Sequence, residues 1–161
     1  MGVVGDPAPW IAATGIAPRS FADILRQQPA SVADRWFARM FLLKPLAILG
    51  LSLFWTLTGL VTLGPGREAA MAHLAAAGFS PAIAVPTFWL GAWFDVALGL
   101  ALLIRPMARL VLHVMLIGTA FYLLIGTALA PQLWADPLGP FLKIIPMLIA
   151  TLFTLAILDE R

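Results

Sequence analysis

Residues 91–104 read GAWFDVALGLALLI, and the reading of this stretch decides the fold. It is almost wholly apolar, yet it carries a carboxylate at Asp95, and it forms the centre of a longer apolar run over about 86–105. An α-helix crossing a hydrocarbon core needs roughly 20 apolar residues at about 1.5 Å each. The run meets that length and is read as a spanning helix. Asp95 then lies about nine residues in, roughly 12–14 Å from either end. An aspartate near mid-bilayer costs about 2.5–3.5 kcal/mol, which leucines, valines and phenylalanines offset at roughly 0.3–0.6 kcal/mol apiece. The helix can insert, and the carboxylate has to point away from lipid. Gly91, Asp95 and Gly99 fall at i, i+4 and i+8, so they share one face, where glycines admit a neighbouring backbone.

Working outward, three further runs have the same character, at about 41–63, 107–130 and 140–158. GPGRE, RPMAR, APQLWADPLGP and DER punctuate them. Backbone inside lipid must satisfy its own hydrogen bonds, so the runs are expected to be packed helices; none alternates in polarity as the strand of a membrane barrel would. The whole chain agrees. Of its 161 residues, 61% are hydrophobic and 11% charged, with a mean hydropathy of +0.96, outside globular usage. The expected fold is all-α and integral to the membrane: a four-transmembrane-helix bundle over 40–161, preceded by a cytoplasmic connector, 1–39, with N-terminal interfacial helices.

The start, MGVVGDPAPWIAATGIAP, lacks the basic and apolar blocks of a secretory signal. SFADILRQQ and SVADRWFARM each begin with a serine suited to cap a helix, with Pro29 between them. Phe21, Ile24, Leu25, Val32, Trp36 and Phe37 would give these short helices an apolar side, and Arg26, Arg35 and Arg39 a side for headgroups. REAAMAHLAAAGF reads as another short interfacial helix, ending at Gly78. With the N-terminus inside, Arg19, Arg26, Arg35, Arg39, Lys44, Arg105, Arg109 and Arg161 fall on the cytoplasmic side, and only Arg67 and Lys143 outside. That bias supports four spans, with both termini on the cytoplasmic side of the cytoplasmic (inner) membrane.

Depth then nominates a site. Trp55 and Tyr122 lie about eight residues below the outer ends of their spans, roughly 12 Å deep and level with Asp95. Lys143 enters roughly 5 Å deep, with a stem long enough to reach toward that level or to snorkel outward. Trp55, Thr58, Asp95, Tyr122 and Lys143 therefore form a candidate polar cluster in the outer half. Gly118 and Gly126, one turn either side of Tyr122, repeat the close-packing stripe of Gly91 and Gly99. Structural roles fit the same residues: Asp95 as a hydrogen-bonding link between helices, Lys143 as an interfacial anchor, Trp55 and Tyr122 as core aromatics. His73 and His113 fall on opposite sides of the membrane, so they cannot together hold a haem, and no pair has metal-ligand spacing. The absence of cysteine excludes disulfides and thiolate metal sites. A net charge of +2 with dispersed basic residues excludes a nucleic-acid surface. Dinucleotide, phosphate-loop and nucleophile-elbow motifs are missing.

LLKPLAILGLSLFWTLTGL, FDVALGLALLIRP and YLLIGTALAPQLWADPLGPFLKIIPML together resemble the DoxX-like family of small four-helix membrane proteins over about 42–161. The upstream WIAATGIAPRS and PASVADRWFAR resemble the connector of relatives that carry a short-chain, epimerase-like dehydrogenase domain in front. That domain is not expected here, nor is nicotinamide chemistry. The resemblance implies a four-helix bundle and links to quinone-coupled sulfur oxidation or membrane oxidoreductase complexes. Only Asp95 and Lys143 match polar positions of the family pattern. Three functions stay open. The first is an accessory or anchoring subunit, not an enzyme on its own, that meets an oxidoreductase on its cytoplasmic side or within the membrane. The second is a protein binding quinone or another small lipophilic molecule in the outer polar cavity. The third is a small transporter or proton path, less favoured because no inverted repeat is evident.

Overall fold

Two stretches near the N-terminus repeat one piece of local chemistry. In Ser20–Asp23 and Ser31–Asp34 the serine hydroxyl accepts the aspartate backbone N–H at 3.1 Å and donates to its carboxylate at 2.6 and 2.7 Å. Asp34 Oδ2 also accepts the Ser31 backbone N–H at 2.7 Å, completing a reciprocal capping box. The computed structural model describes residues 5–28, 30–137 and 139–158. In it these caps open α2 (Phe21–Gln27) and α3 (Val32–Leu63), and α1 (Ala8–Thr14) precedes them. Pro29 and residues 159–161, read above as a separator and as C-terminal charge, lie outside the described residues.

The expected break between SVADRWFARM and the first apolar run does not occur. Both belong to α3, which is 32 residues long and continues through Pro45. Nothing from Ser31 to Lys44 breaks a helix; Pro45 withholds one backbone donor and crowds the carbonyl of Phe41, a disturbance that spanning helices tolerate.

The chain divides into two compact units, 1–39 and 40–161. In the first, neither α1 nor α2 buries a residue. The second contains the rest of α3, α4 (Arg67–Ala76), α5 (Pro81–Ala101), α6 (Ala108–Leu129) and α7 (Ile144–Leu158). Single 3₁₀ turns, Arg105–Met107 and Pro131–Trp134, flank α6. No strand occurs among the described residues. α4 closes as read from its glycine. Gly78 takes φ +85°, with Phe79 N–H on Leu74 O and Gly78 N–H on Ala75 O, the paired bonds of a Schellman stop.

α3, α5 and Arg105–Leu129 are long and apolar enough to cross a membrane; α7 is apolar but has 15 residues. Their outer surfaces are inverted relative to a water-soluble protein. Leu42, Leu90, Ile117, Leu124 and Phe153 are all more than 60% exposed, a spread of apolar surface that water penalises and lipid does not. Beneath it, Leu51, Trp55, Leu98, Leu102, Val111, Leu112 and Met115 form a core against which Met147, Leu155 and Leu158 pack, so α3, α5, α6 and α7 share one interior. Lys44 Nζ donates to Leu158 O at 2.9 Å, tying the start of α3's apolar part to the end of α7. A lysine there satisfies a terminal carbonyl and suits the negative end of the helix dipole.

α3 and α5 meet backbone to backbone. A Cβ on Gly59 would fall 2.5 Å from Ala92 O and 2.6 Å from Val96 Cγ2. One on Gly99 would fall 2.6 Å from Thr56 N and 2.7 Å from Ser52 O. Each helix thus brings a glycine to the other's backbone. Such reciprocity replaces the hydrophobic effect, which contributes little between helices already in lipid, with dispersion contacts at close range.

Candidate functional site

α5 starts behind Ser80 with Pro81 in its first turn, where a missing N–H costs nothing. It buries Ala84, Phe88, Ala92, Val96 and Gly99. The seam against α3 is therefore Ala92–Val96–Gly99, one position on from the stripe read from the sequence. Gly99 belongs to it, whereas a Cβ on Gly91 would meet nothing within 4 Å. Asp95, one residue before Val96, is half-buried at the seam's edge.

Asp95 on α5 and Tyr122 on α6 are carried by adjoining helices. Their helices approach where Phe94 Cε1 lies 3.8 Å from the Cβ position of Gly118, an ordinary van der Waals contact. Tyr122 is 56% exposed, so it is a peripheral aromatic. No hydrogen bond or ion pair forms between Asp95 and Lys143 among the described residues. Lys143 is exposed and lines a groove of about 510 Å³ between α3 and the start of α7.

On α3 the depth reading and the packing differ. Thr58 is exposed and its hydroxyl donates to Phe54 O at 2.7 Å, within its own helix. The interior polar positions are Ser52, which is buried, and Thr56, whose Oγ1 is buried without a hydrogen-bond partner. Trp55 is 9% exposed, and its Nε1 is likewise buried and unpartnered. Such groups cost about 1–3 kcal/mol each when left unpaired, so each calls for an explanation. Sequence reasoning missed Thr56. Its signal was the interval to Gly59, which repeats the interval from Val96 to Gly99.

Sequence reasoning also missed Phe141. Gly139 adopts φ +57°, its N–H bonded to Asp136 O and its carbonyl accepting Lys143 N–H. The turn drives the Phe141 ring, fully buried, onto α6. There it lies where a Cβ on Gly126 would approach to 2.8 Å, and it meets Tyr122 and Trp134 edge-on at 6.1 and 5.5 Å between centroids. Trp134 Nε1 donates to Thr127 Oγ1 at 3.1 Å. Gly126 is thus a socket for an aromatic ring, not a helix contact.

At the far end of α5, Arg67 sits over Phe88 and Trp89, 6.0 and 5.6 Å from their centroids, which holds α4 to α5. His113 Nδ1 lies 2.8 Å from Arg109 O, one turn back on its own helix. Among the described residues no group of three or more His, Cys, Asp or Glu could hold a metal ion. The polar groups are thus a half-buried carboxylate on α5, an exposed phenol on the adjoining α6, and an indole N–H and a hydroxyl buried without partners on α3.

The sequence profile of the DoxX-like family matches residues 52–152, and the chain belongs to that family. The match takes in Trp55, Asp95, Tyr122, Phe141 and Lys143. Neither a curated protein nor a solved structure matches the chain.

Proposed function

From its membership of the DoxX-like family, we propose that this membrane protein is an accessory or anchoring subunit of an oxidoreductase or electron-transfer complex. In this reading it sits in a bacterial inner membrane with four crossings and both termini cytoplasmic. The observation that carries the reading is the first unit. Arg19, Arg26, Arg35 and Arg39 alternate there with exposed Phe21, Leu25, Val32 and Trp36, and α1 and α2 bury nothing. Cations interleaved with unburied aromatic and aliphatic side chains suit headgroups on one side and a docked partner on the other. The bond from Lys44 to Leu158 O supports the fourth crossing, because it brings the two cytoplasmic ends together.

The test is extraction of the tagged chain from its native membranes in mild detergent. Co-purification of an oxidoreductase, recognised by its cofactor spectrum and lost when Arg35 and Arg39 are both replaced by Gln, is the expected result. A chain recovered alone, with membrane redox activity unchanged on deletion, would overturn the proposal.

A second reading has its own observation. Asp95 on α5 and Tyr122 on the adjoining α6 supply a carboxylate and a phenol that a quinone's carbonyls could engage. The chain itself would carry no cofactor, and the quinone would exchange with the membrane pool. Asp95→Asn is then expected to abolish quinone binding, read by quenching of Trp fluorescence in nanodiscs. Unchanged quenching removes this reading.

A further inference from the structure

The groove between α3 and α7 is distinct from the seam and from Asp95. Ala47 and Gly50 form one wall; Met147, Ala150 and Thr154 form the other; Lys143 stands at one end. A Cβ on Gly50 would meet nothing within 4 Å, so among the described residues none fills the space beside it. From Lys143 to Thr154 the groove runs roughly 16 Å at the helical rise, about half the ~30 Å hydrocarbon thickness of a bilayer. Just beyond its other end, the bond from Lys44 to Leu158 O ties the two helices together.

Its walls are apolar even where the sequence is not. Thr154 Oγ1 donates to Ala150 O at 2.8 Å, and the neighbouring Thr151 Oγ1 donates to Met147 O at 2.9 Å, so both hydroxyls are spent inside α7. A quinone would therefore find one donor, Lys143, for its two carbonyls. A hydrocarbon chain needs none. Among the described residues Lys143 pairs with no carboxylate, which leaves its ammonium to compensate an anionic head.

We propose that the α3–α7 groove is a specific site for an anionic phospholipid, with one acyl chain lying along Ala47, Gly50, Met147 and Ala150 and the phosphate against Lys143. Depth, wall polarity and charge all select that occupant. The volume of about 510 Å³ falls within the usual range for a small-ligand site.

The protein in nanodiscs of phosphatidylcholine, doped with phosphatidylglycerol carrying a photoreactive group mid-way along one acyl chain, provides the test. Irradiation should label peptides containing residues 47–51 and 147–154 above the other exposed helix faces. Gly50→Leu places a side chain in the groove from a Cβ position that meets nothing within 4 Å, and should remove most of that labelling without lowering the melting temperature. Lys143→Gln should lower the preference for phosphatidylglycerol over an equally photoreactive phosphatidylcholine by about fivefold, the size of one interfacial charge. Even labelling of all exposed faces, or labelling indifferent to Gly50→Leu, would show ordinary boundary lipid and overturn the proposal. So would oxidative disulfide-linked dimers of a Gly50→Cys variant in the same nanodiscs, which would make the groove a seat for a second copy in a chain that has no other cysteine. Displacement of the label by decylubiquinone or by free oleate, but not by unlabelled phosphatidylglycerol, would overturn it as well.

Discussion

α3 has two faces built from small residues, and they meet opposite fates. Ser52, Thr56 and Gly59 lie on α5 so closely that added Cβ atoms at Gly59 and Gly99 would collide with backbone. Ala47 and Gly50 face α7 across an open groove. Composition does not separate these faces. On the α5 side each glycine faces a backbone atom of its partner, whereas on the α7 side a Cβ on Gly50 would meet none of the described residues within 4 Å. Small residues permit close approach, but complementary register between two helices is what turns permission into contact.

The contrast breaks most sharply at the seam. Gly59→Val and Gly99→Val are expected to destabilise the fold by the upper end of roughly 1–3 kcal/mol or more, because backbone cannot yield as a side-chain tip can. SDS titration of the folded protein in mixed micelles would measure it, and a loss below that of Gly50→Val would refute the backbone-contact assignment. Gly126→Ala comes next, at about 1–2 kcal/mol, since a fully buried Phe141 ring has little room to move. The same titration of the double variant with Phe141→Leu should recover much of that loss, a coupling that independent sites would not show. Lys44→Met, which removes the bond to Leu158 O, should cost about 1 kcal/mol and speed hydrogen exchange in the last turn of α7 before it affects α5. Smallest and opposite in sign, Gly91→Ala and Gly50→Ala meet no atom and should stabilise by about 0.5–1 kcal/mol through helix propensity alone. A clear loss at either would show that the face is covered.

Much of the fold was legible along the chain. The apolar runs at 86–105 and 107–130 became α5 and α6 with ends displaced by a few residues, because hydrophobic length sets where a helix can sit in lipid. Ser20, Ser31 and Gly78 marked helix ends through hydrogen bonds made within a few residues. The site was legible only in part. Depth follows from 1.5 Å per residue, so Asp95 and Tyr122 could be matched in level, and the helices that carry them approach at Phe94 and Gly118. Azimuth follows from how helices cross. Reading Thr58 in place of Thr56, and Gly91 in place of Ala92, are errors of rotation about an axis, not of height. Stem length allowed Lys143 either to reach toward the level of Asp95 or to snorkel outward; in the fold it follows the turn at Gly139 and lines the α3–α7 groove.

By itself the sequence determined the solvent: apolar runs of that length leave lipid as the medium, and capping residues mark several helix ends, because both are local properties of the chain. Only the tertiary structure decided which faces touch. The seam at Gly59 and Gly99, the Phe141 ring over Gly126, and the open groove beside Gly50 all depend on register between segments far apart in the chain. That register is set by the fit of many side chains at once, which no single helix encodes.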